Sequence, residues 1–249
     1  MKGSKPQFRP NEIYVANNLV VSESLMGKVD LIYADILYDH VNFDEIDMLV
    51  GTLKLGGAIY IQTDYRSVGQ VKNRLDMWCI EQPRRLWNKD TALRFMNWII
   101  WPYNWGGRPK DAFGRKHDDI LFYVREGKKH VFNVKDISIP KVVLMRSTKA
   151  TQIPTDVWLD IGNFYTTSKE RVKVNGKNVP WQKPENLLER IILASSKPGQ
   201  LVYEPYLGTG TACAVAKRLG RQFIGCDLDA SMVKLARERL HAITRRKTK

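Results

Sequence analysis

The sequence predicts an α/β protein with a doubly wound, mainly parallel sheet, and three observations support this prediction. Short apolar runs that are typical of buried strands alternate along the chain with amphipathic helices. Several of these apolar runs end at a turn that is rich in glycine or acidic residues. The chain has 249 residues, which is long enough for one large domain with a substantial core.

The first half of the chain opens this alternation of strands and helices. Val29–Ala34 is an apolar run that ends at Asp35, as expected for a buried parallel strand. Gly56-Gly57 is predicted to end the first helix before the next strand begins. The predicted elements in chain order are strand 29–34, helix 43–53, strand 58–62, helix 68–78, and strands 97–103 and 120–125.

The regular pattern weakens between residues 126 and 180 and then returns. Asn175-Gly176 favours a hairpin there, and we expect a small insert within one domain that spans residues 1–249. Pro184 suits the first turn of a helix. The later predicted elements are strand 201–203, helix 211–219, strand 222–226, and a last helix with apolar residues at 233, 236, 240 and 243.

The charge of the chain is strongly positive. Forty Lys and Arg against 26 Asp and Glu give a net charge of +14, which suits binding to a polyanion such as nucleic acid. A basic surface that only aids solubility is the alternative. Aromatic and basic residues are mixed between Trp101 and Lys110, a composition that suits phosphate contact and base stacking. The candidate nucleic-acid contacts are Trp101, Trp105, Arg108, Lys110, Arg115 and Lys116.

Other classes of protein are disfavoured. No apolar run reaches the roughly 18 residues that a membrane span requires. The N-terminal residues are charged without an apolar stretch, so we expect no secretory signal. The three cysteines are scattered without the spacing of metal ligands, and their odd number argues against a disulfide framework. We therefore expect a reduced, cytoplasmic protein without a metal centre.

Residues 204–211 form a turn between a predicted strand and a predicted helix. Gly208 and Gly210 allow close approach of a ligand to backbone amides at a helix N-terminus, although a tight connection alone also explains them. Asp227 follows about 20 residues later at the end of the next strand, where a carboxylate can accept two ribose hydroxyls. We assign the N-cap of the following helix to Asp229. This arrangement indicates a nucleotide-like cofactor.

These residues resemble a known family. Glu204-Pro-Tyr-Leu-Gly-Thr-Gly-Thr211 is similar to the D-P-F-x-G-S-G-T motif of DNA amino methyltransferases, with Glu204 in place of Asp. Gln182-Lys-Pro184 resembles the segment before that motif in the permuted β-type members. The resemblance implies a Rossmann-like fold with permuted motif order and S-adenosyl-L-methionine (SAM) as cofactor. The implied cofactor-binding residues are Lys183, Glu204, Pro205, Gly208, Gly210, Thr211 and Asp227.

The family's catalytic turn, D-P-P-Y, corresponds to Asp35-Ile-Leu-Tyr38. The resemblance implies that the Asp35 carboxylate and the Ile36 carbonyl accept the two hydrogens of a base amino group. It also implies that Tyr38 stacks on a base flipped from the duplex. Proline fixes φ, so its replacement by Ile and Leu predicts a more mobile turn.

The resemblance therefore implies DNA as partner and methyl transfer to N6 of adenine, as in restriction-modification systems. The alternatives are an N4-cytosine methyltransferase, a weak or inactive DNA-binding relative, and a methyltransferase for RNA or protein. Residues 126–180 lie where the family carries its target-recognition region. This segment is short, so we expect either shallow recognition or help from a second subunit, as in a homodimer.

Overall fold

The computed structural model describes residues 7–36, 41–79, 92–104, 106–107, 109–140, 151–162, 168, 170–174 and 176–243. Its helices are α1 (Asn18–Ser24), α2 (Phe43–Thr52), α3 (Val68–Asp76), α4 (Glu185–Ser195), α5 (Thr211–Arg218) and α6 (Ala230–Ala242). Its longer strands are β1 (Glu12–Val15), β2 (Val29–Asp35), β3 (Leu53–Thr63), β4 (Leu93–Pro102), β5 (His117–Arg125), β10 (Leu201–Glu204) and β11 (Gln222–Asp227). Four strands of two residues each are β6 (Ile139–Pro140), β7 (Thr151–Gln152), β8 (Lys173–Val174) and β9 (Lys177–Asn178).

The seven longer strands form one sheet in the order β1-β11-β10-β2-β3-β5-β4. The pairs from β1 to β3 are parallel, whereas β5 is antiparallel to both of its neighbours. The prediction of a mainly parallel sheet is confirmed. In the described part of the chain, no helix has the length and apolar character that crossing a bilayer requires.

Helices cover both faces of the sheet. One core cluster joins the sheet to α1, α2 and α3, through side chains such as Val21, Leu49 and Val71. The other joins the opposite face to α4, α5 and α6, through side chains such as Leu188 and Val215. The sheet is therefore doubly wound, as its alternating apolar strands and amphipathic helices predicted.

The connection from α2 to β3 differs from the prediction. The helix passes into the strand at Leu53, so Gly56-Gly57 lie inside β3 and do not end the helix. The helix ends earlier, where the Thr52 hydroxyl donates to the Leu49 carbonyl at 2.7 Å. The glycines fall in a bulge, because Val29 pairs with Leu53 but Leu31 pairs with Ala58.

Residues 126–180 contain little regular structure in their described parts. They include a 3-10 helix, Val134–Ile137, and the antiparallel pairs β6–β7 and β8–β9, the second of which flanks positions 175–176. Trp158 joins the core on the α4 face. Asn133 Nδ2 donates to the carbonyls of Leu193 and Ser196 at 2.8 and 2.9 Å, which satisfies the C-terminal end of α4.

The two predicted turns meet where the order of the parallel strands reverses, between β10 and β2. β10 and β2 are parallel neighbours, but the helices that follow them, α5 and α2, lie on opposite faces of the sheet. A crevice forms at the carboxyl ends of such strands, and ligands bind there. Glu204 ends β10 and Asp35 ends β2, so the fold brings both motifs to this crevice.

Candidate active site

A cavity of about 590 Å³ lies at this crevice. Its walls come from the end of β2, the β10–α5 turn, the end of β11 and the segment before α4. Tyr38 lies outside the described residues. The predicted site residues that line the cavity are Asp35, Ile36, Lys183, Glu204, Pro205, Gly208, Thr211 and Asp227.

The two glycines of the β10–α5 turn have different roles. Both have left-handed backbones, with φ of 47° at Gly208 and 69° at Gly210. A Cβ on Gly210 would lie 2.9 Å from the Cβ of Ala236, so this glycine allows α6 to pack closely against the turn. A Cβ on Gly208 would meet only the Trp181 ring, at 4.0 Å. Gly208 therefore leaves its backbone open to the cavity.

Glu204 holds the start of α5 in place. Its carboxylate accepts the backbone N–H groups of Ala212 and Cys213, at 3.1 and 2.8 Å. These are donors that a helix N-terminus leaves unsatisfied. Glu204 therefore still orders the turn, although its side chain is longer than the Asp of the family motif. Burial raises the pKa of Glu204 to about 7, against the lowering effect of the two backbone hydrogen bonds.

Asp227 ends β11 at the rim of the cavity. Its Oδ2 accepts the Gly208 N–H at 2.8 Å, and its Oδ1 accepts the Asp229 N–H at 2.9 Å. The carboxylate is half-buried, and each oxygen retains a lone pair for another donor. Asp229 accepts the Ser231 N–H at 2.7 Å and is the N-cap of α6, as predicted.

The chemistry of this cavity fits SAM. The Asp227 carboxylate is an acceptor suited to ribose hydroxyls, and Leu207 and Met232 give an apolar wall beside it. The second carboxylate, Glu204, also lines the cavity at the end of β10 and favours a cationic ligand group when it is ionised. An amino-acid nucleoside with a positive charge matches this set of groups.

Lys183 lies among the catalytic candidates. Its ammonium nitrogen is 2.8 Å from Oδ2 of Asp35 and 3.8 Å from Oδ2 of Asp118. We predicted Lys183 as a cofactor contact, but the structure pairs its charge with the catalytic candidate. Burial raises the pKa of Asp35, the Lys183 ammonium opposes this rise, and Asp118 adds to it.

A buried polar network supports this ion pair. Asp118 Oδ2 accepts from Gln62 Nε2 at 2.8 Å, and Gln62 Oε1 accepts from the Tyr33 hydroxyl at 2.6 Å. All three side chains are buried. Sequence reasoning missed them, although two carboxylates at the head of an otherwise apolar strand, Asp118-Asp119, are a usable signal.

Ile36 follows the catalytic candidate and is firmly held. Its N–H donates to the Gln62 carbonyl at 2.9 Å, and its side chain is buried. The strand pairing therefore continues past Asp35, so the expected loosening of the turn does not occur at Ile36. A proline at this position would remove the donor.

The predicted nucleic-acid contacts divide into three groups. Trp101 is 2% exposed and belongs to the core, so its selection as a base-stacking residue was wrong. Lys110 and Arg115 are exposed, whereas half-buried Lys116 donates to the Gly106 carbonyl at 3.0 Å. Trp105 and Arg108 lie outside the described residues.

Comparison with known proteins identifies the family. A family profile described as DNA methylase, of the N6 and N4 amino methyltransferases, matches residues 31–238. The chain therefore belongs to this family of DNA methyltransferases, whose cofactor is SAM.

Curated DNA methyltransferases match most of the chain. The chain is 31% identical over 237 residues to the Type II methyltransferase M.HpaI of Haemophilus parainfluenzae, covering 86% of this chain and 68% of that protein. It is 30% identical over 237 residues to the DNA adenine methyltransferase YhdJ of Escherichia coli (strain K12), covering 85% of this chain and 76% of that protein.

Solved structures share the fold. The M1.HpyAVI–SAM complex is similar with a TM-score of 0.64 and 21% identity, over 92% of this chain and 99% of that one. The cytosine-N4-specific PvuII DNA methyltransferase is similar with a TM-score of 0.68 and 14% identity, over 97% and 92%. Both likenesses concern the fold alone.

Proposed function

We propose that this DNA methyltransferase transfers the methyl group of SAM to N6 of adenine. The observation that carries the proposal is the position of Asp35, which ends β2 in the cavity and faces Lys183 at 2.8 Å. An Asp at the start of the catalytic turn favours adenine, because N4-cytosine enzymes more often carry Ser there. N4 of cytosine is the alternative, since relatives of both kinds exist.

The residues of the catalytic turn can activate the amino group of the base, which is a weak nucleophile. The lone pair of an exocyclic amino group is delocalised into the ring, so the nitrogen attacks poorly. The Asp35 carboxylate and the Ile36 carbonyl accept its two hydrogens and favour a pyramidal nitrogen. When bound, SAM would supply the methyl group from its positively charged sulfur and would leave as the neutral thioether S-adenosylhomocysteine when the sulfur–carbon bond breaks. The amino nitrogen must lose one proton as its new bond to carbon forms, and the Asp35 carboxylate is placed to accept that proton.

Lys183 keeps the Asp35 carboxylate ready for this role. Burial alone would favour the protonated acid. The protonated acid has no ionised oxygen to accept an amino hydrogen. The ammonium of Lys183 opposes protonation, and the Asp118 carboxylate lies 3.8 Å from the same ammonium. Lys183 is therefore a positioning residue in this proposal.

The cofactor contacts follow from the second turn. Asp227 receives the ribose hydroxyls, and the backbone at Gly208 borders the ligand. Glu204, Gly210 and Thr211 shape the turn, and Pro205 follows β10 into the cavity wall. The similarity to Type II methyltransferases supports a modification role beside a nuclease. Residues 126–180 are the proposed target-recognition segment, used by a monomer or a homodimer.

Transfer of labelled methyl groups tests the proposal. The protein is incubated with tritiated SAM and, separately, with DNA, RNA and protein, and the DNA is then digested for mass spectrometry of its nucleosides. We expect label in DNA as N6-methyladenine. Methylcytosine would establish the alternative, and DNA binding without transfer would identify an inactive relative. Label in RNA or protein alone would overturn the proposal.

A further inference from the structure

We propose that Phe113 is a wedge that enters the base stack of duplex DNA at the position from which the target base is flipped. This inference rests on the proposed function, because flipping is needed only if a base reaches Asp35. Enzymes that modify a base extrude it from the duplex, and apolar side chains placed between base steps are a known means of unstacking.

Phe113 is unusually exposed. Its side chain is 98% accessible, the highest value among the large apolar side chains in the described part of the chain. Single exposed apolar residues are common on protein surfaces and require no partner by themselves. Its place in the fold is what distinguishes Phe113.

Phe113 belongs to the β4–β5 loop, residues 103–116, which leaves the sheet at the same edge as the cavity, two strands away from β2. Asp35 pairs with Gln62, and Gln62 pairs with Ile120, so Asp35 and Ile120 are about 10 Å apart across two strand spacings. β5 begins three residues before Ile120, at His117. The loop therefore extends past the edge of the sheet at which the cavity opens.

The base of this loop is fixed. The Tyr103 N–H donates to the Lys116 carbonyl at 2.8 Å, and the Tyr103 hydroxyl donates to Asp118 at 3.2 Å. The Arg115 guanidinium lies over the Tyr65 ring, 3.6 Å from its centroid. Since Asp118 also contacts Lys183, the base of the loop is tied to the catalytic candidates.

The charges around Phe113 favour DNA as the occupant. The described loop residues include the cations Lys110, Arg115 and Lys116 and one carboxylate, Asp111. Cations on either side of an apolar side chain match a base step flanked by phosphates. A protein partner would require a larger apolar patch than one phenylalanine provides.

The test uses a short duplex built around a site that the wild type methylates in plasmid DNA. Phe113→Ala should lower the single-turnover rate of methyl transfer roughly tenfold or more on this paired duplex. The loss should largely disappear when the target base faces an abasic site, because that base is already poorly stacked. Phe113→Trp should retain the rate, and Met26→Ala, which alters a side chain that is 48% exposed just before the start of β2, is the control.

Each outcome has a distinct meaning. Equal rates for Phe113→Ala and the wild type on the paired duplex would overturn the wedge while leaving the proposed function intact. An equal loss on paired and abasic duplexes would also overturn it, since Phe113 would then serve general binding. Absence of transfer by the wild type on every DNA would defeat the proposed function and the wedge with it.

Discussion

The ammonium nitrogen of Lys183 lies 2.8 Å from a carboxylate oxygen of Asp35. The two residues come from opposite halves of the chain. Asp35 ends β2, and Lys183 lies in the segment before α4, which lines the same cavity. Asp118 approaches the same ammonium from β5 at 3.8 Å. One cation therefore interacts with two carboxylates from different strands, Asp35 at the end of β2 and Asp118 near the start of β5.

Replacing Lys183 with Met should shift the pH dependence of methyl transfer. Without the ammonium, burial and Asp118 raise the pKa of Asp35 further above its ordinary value. Transfer requires the ionised carboxylate, so the acid limb of kcat/KM should move to higher pH and the neutral-pH rate should fall at least about tenfold. Lys183→Arg keeps the charge and is the control.

The same variant distinguishes the two roles considered for Lys183. A positioning residue for Asp35 moves the pH profile and leaves SAM affinity nearly unchanged. A large loss of SAM affinity with an unmoved pH profile would instead return Lys183 to the cofactor contacts that the sequence predicted.

Glu204 should make folding stability depend on pH. Its pKa rises from an ordinary value of 4.5 to about 7 in the folded protein. The folded state therefore binds a proton that the unfolded state has lost in this range, and stability falls as pH rises from 4.5 to 7. Chemical unfolding at both pH values should show that the wild type loses more unfolding free energy between them than Glu204→Gln does, by on the order of 1–3 kcal/mol. The same change in unfolding free energy with pH for the wild type and Glu204→Gln would contradict a raised pKa of Glu204.

Asp227→Ala should weaken SAM binding. The substitution removes a charged acceptor for ribose and releases the N–H of Gly208 that shapes the turn. The expected loss is on the order of 2–4 kcal/mol in titration calorimetry. Asp227→Asn keeps the shape and one acceptor oxygen, so it should lose less. Unchanged affinity in the Ala variant would remove Asp227 from the site.

DNA binding should be strongly dependent on salt. Raising the salt concentration from 50 to 200 mM should weaken binding at least about tenfold if several phosphates are engaged. Replacing both Lys110 and Arg115 with Ala should reduce the slope of log affinity against log salt by about 1.8. The charge-matched control replaces exposed Lys28 and Lys197, at the opposite edge of the sheet. A flat response in the wild type would refute the electrostatic argument.

The elements that sequence predicted well are those with strong local signals. β2, β5 and β10 are buried along most of their length, and α4 carries a continuous apolar stripe. β1 and α1 were not predicted, because an edge strand of four residues with one buried side chain has no distinctive period.

The site residues also differ in whether their signal is local in the sequence. The glycines and Asp227 were found because their roles depend on spacing within one strand–turn–helix unit. The pairing of Lys183 with Asp35 and Asp118 could not be found, because it depends on which strands are neighbours. Trp101 was misjudged because its aromatic and basic neighbours in sequence gave no sign that the strand turns this side chain into the core.

The most direct test is the rate of N6-methyladenine formation by the wild type and by Asp35→Ala, measured by mass spectrometry of digested DNA. The wild type should form N6-methyladenine, and Asp35→Ala should be slower by roughly a hundredfold or more, because it lacks the acceptor for the amino hydrogens. SAM affinity measured on the same samples should be nearly equal. Equal rates in the two proteins, or no methylated base from the wild type on varied DNA, would contradict the central claim that Asp35 is the catalytic carboxylate.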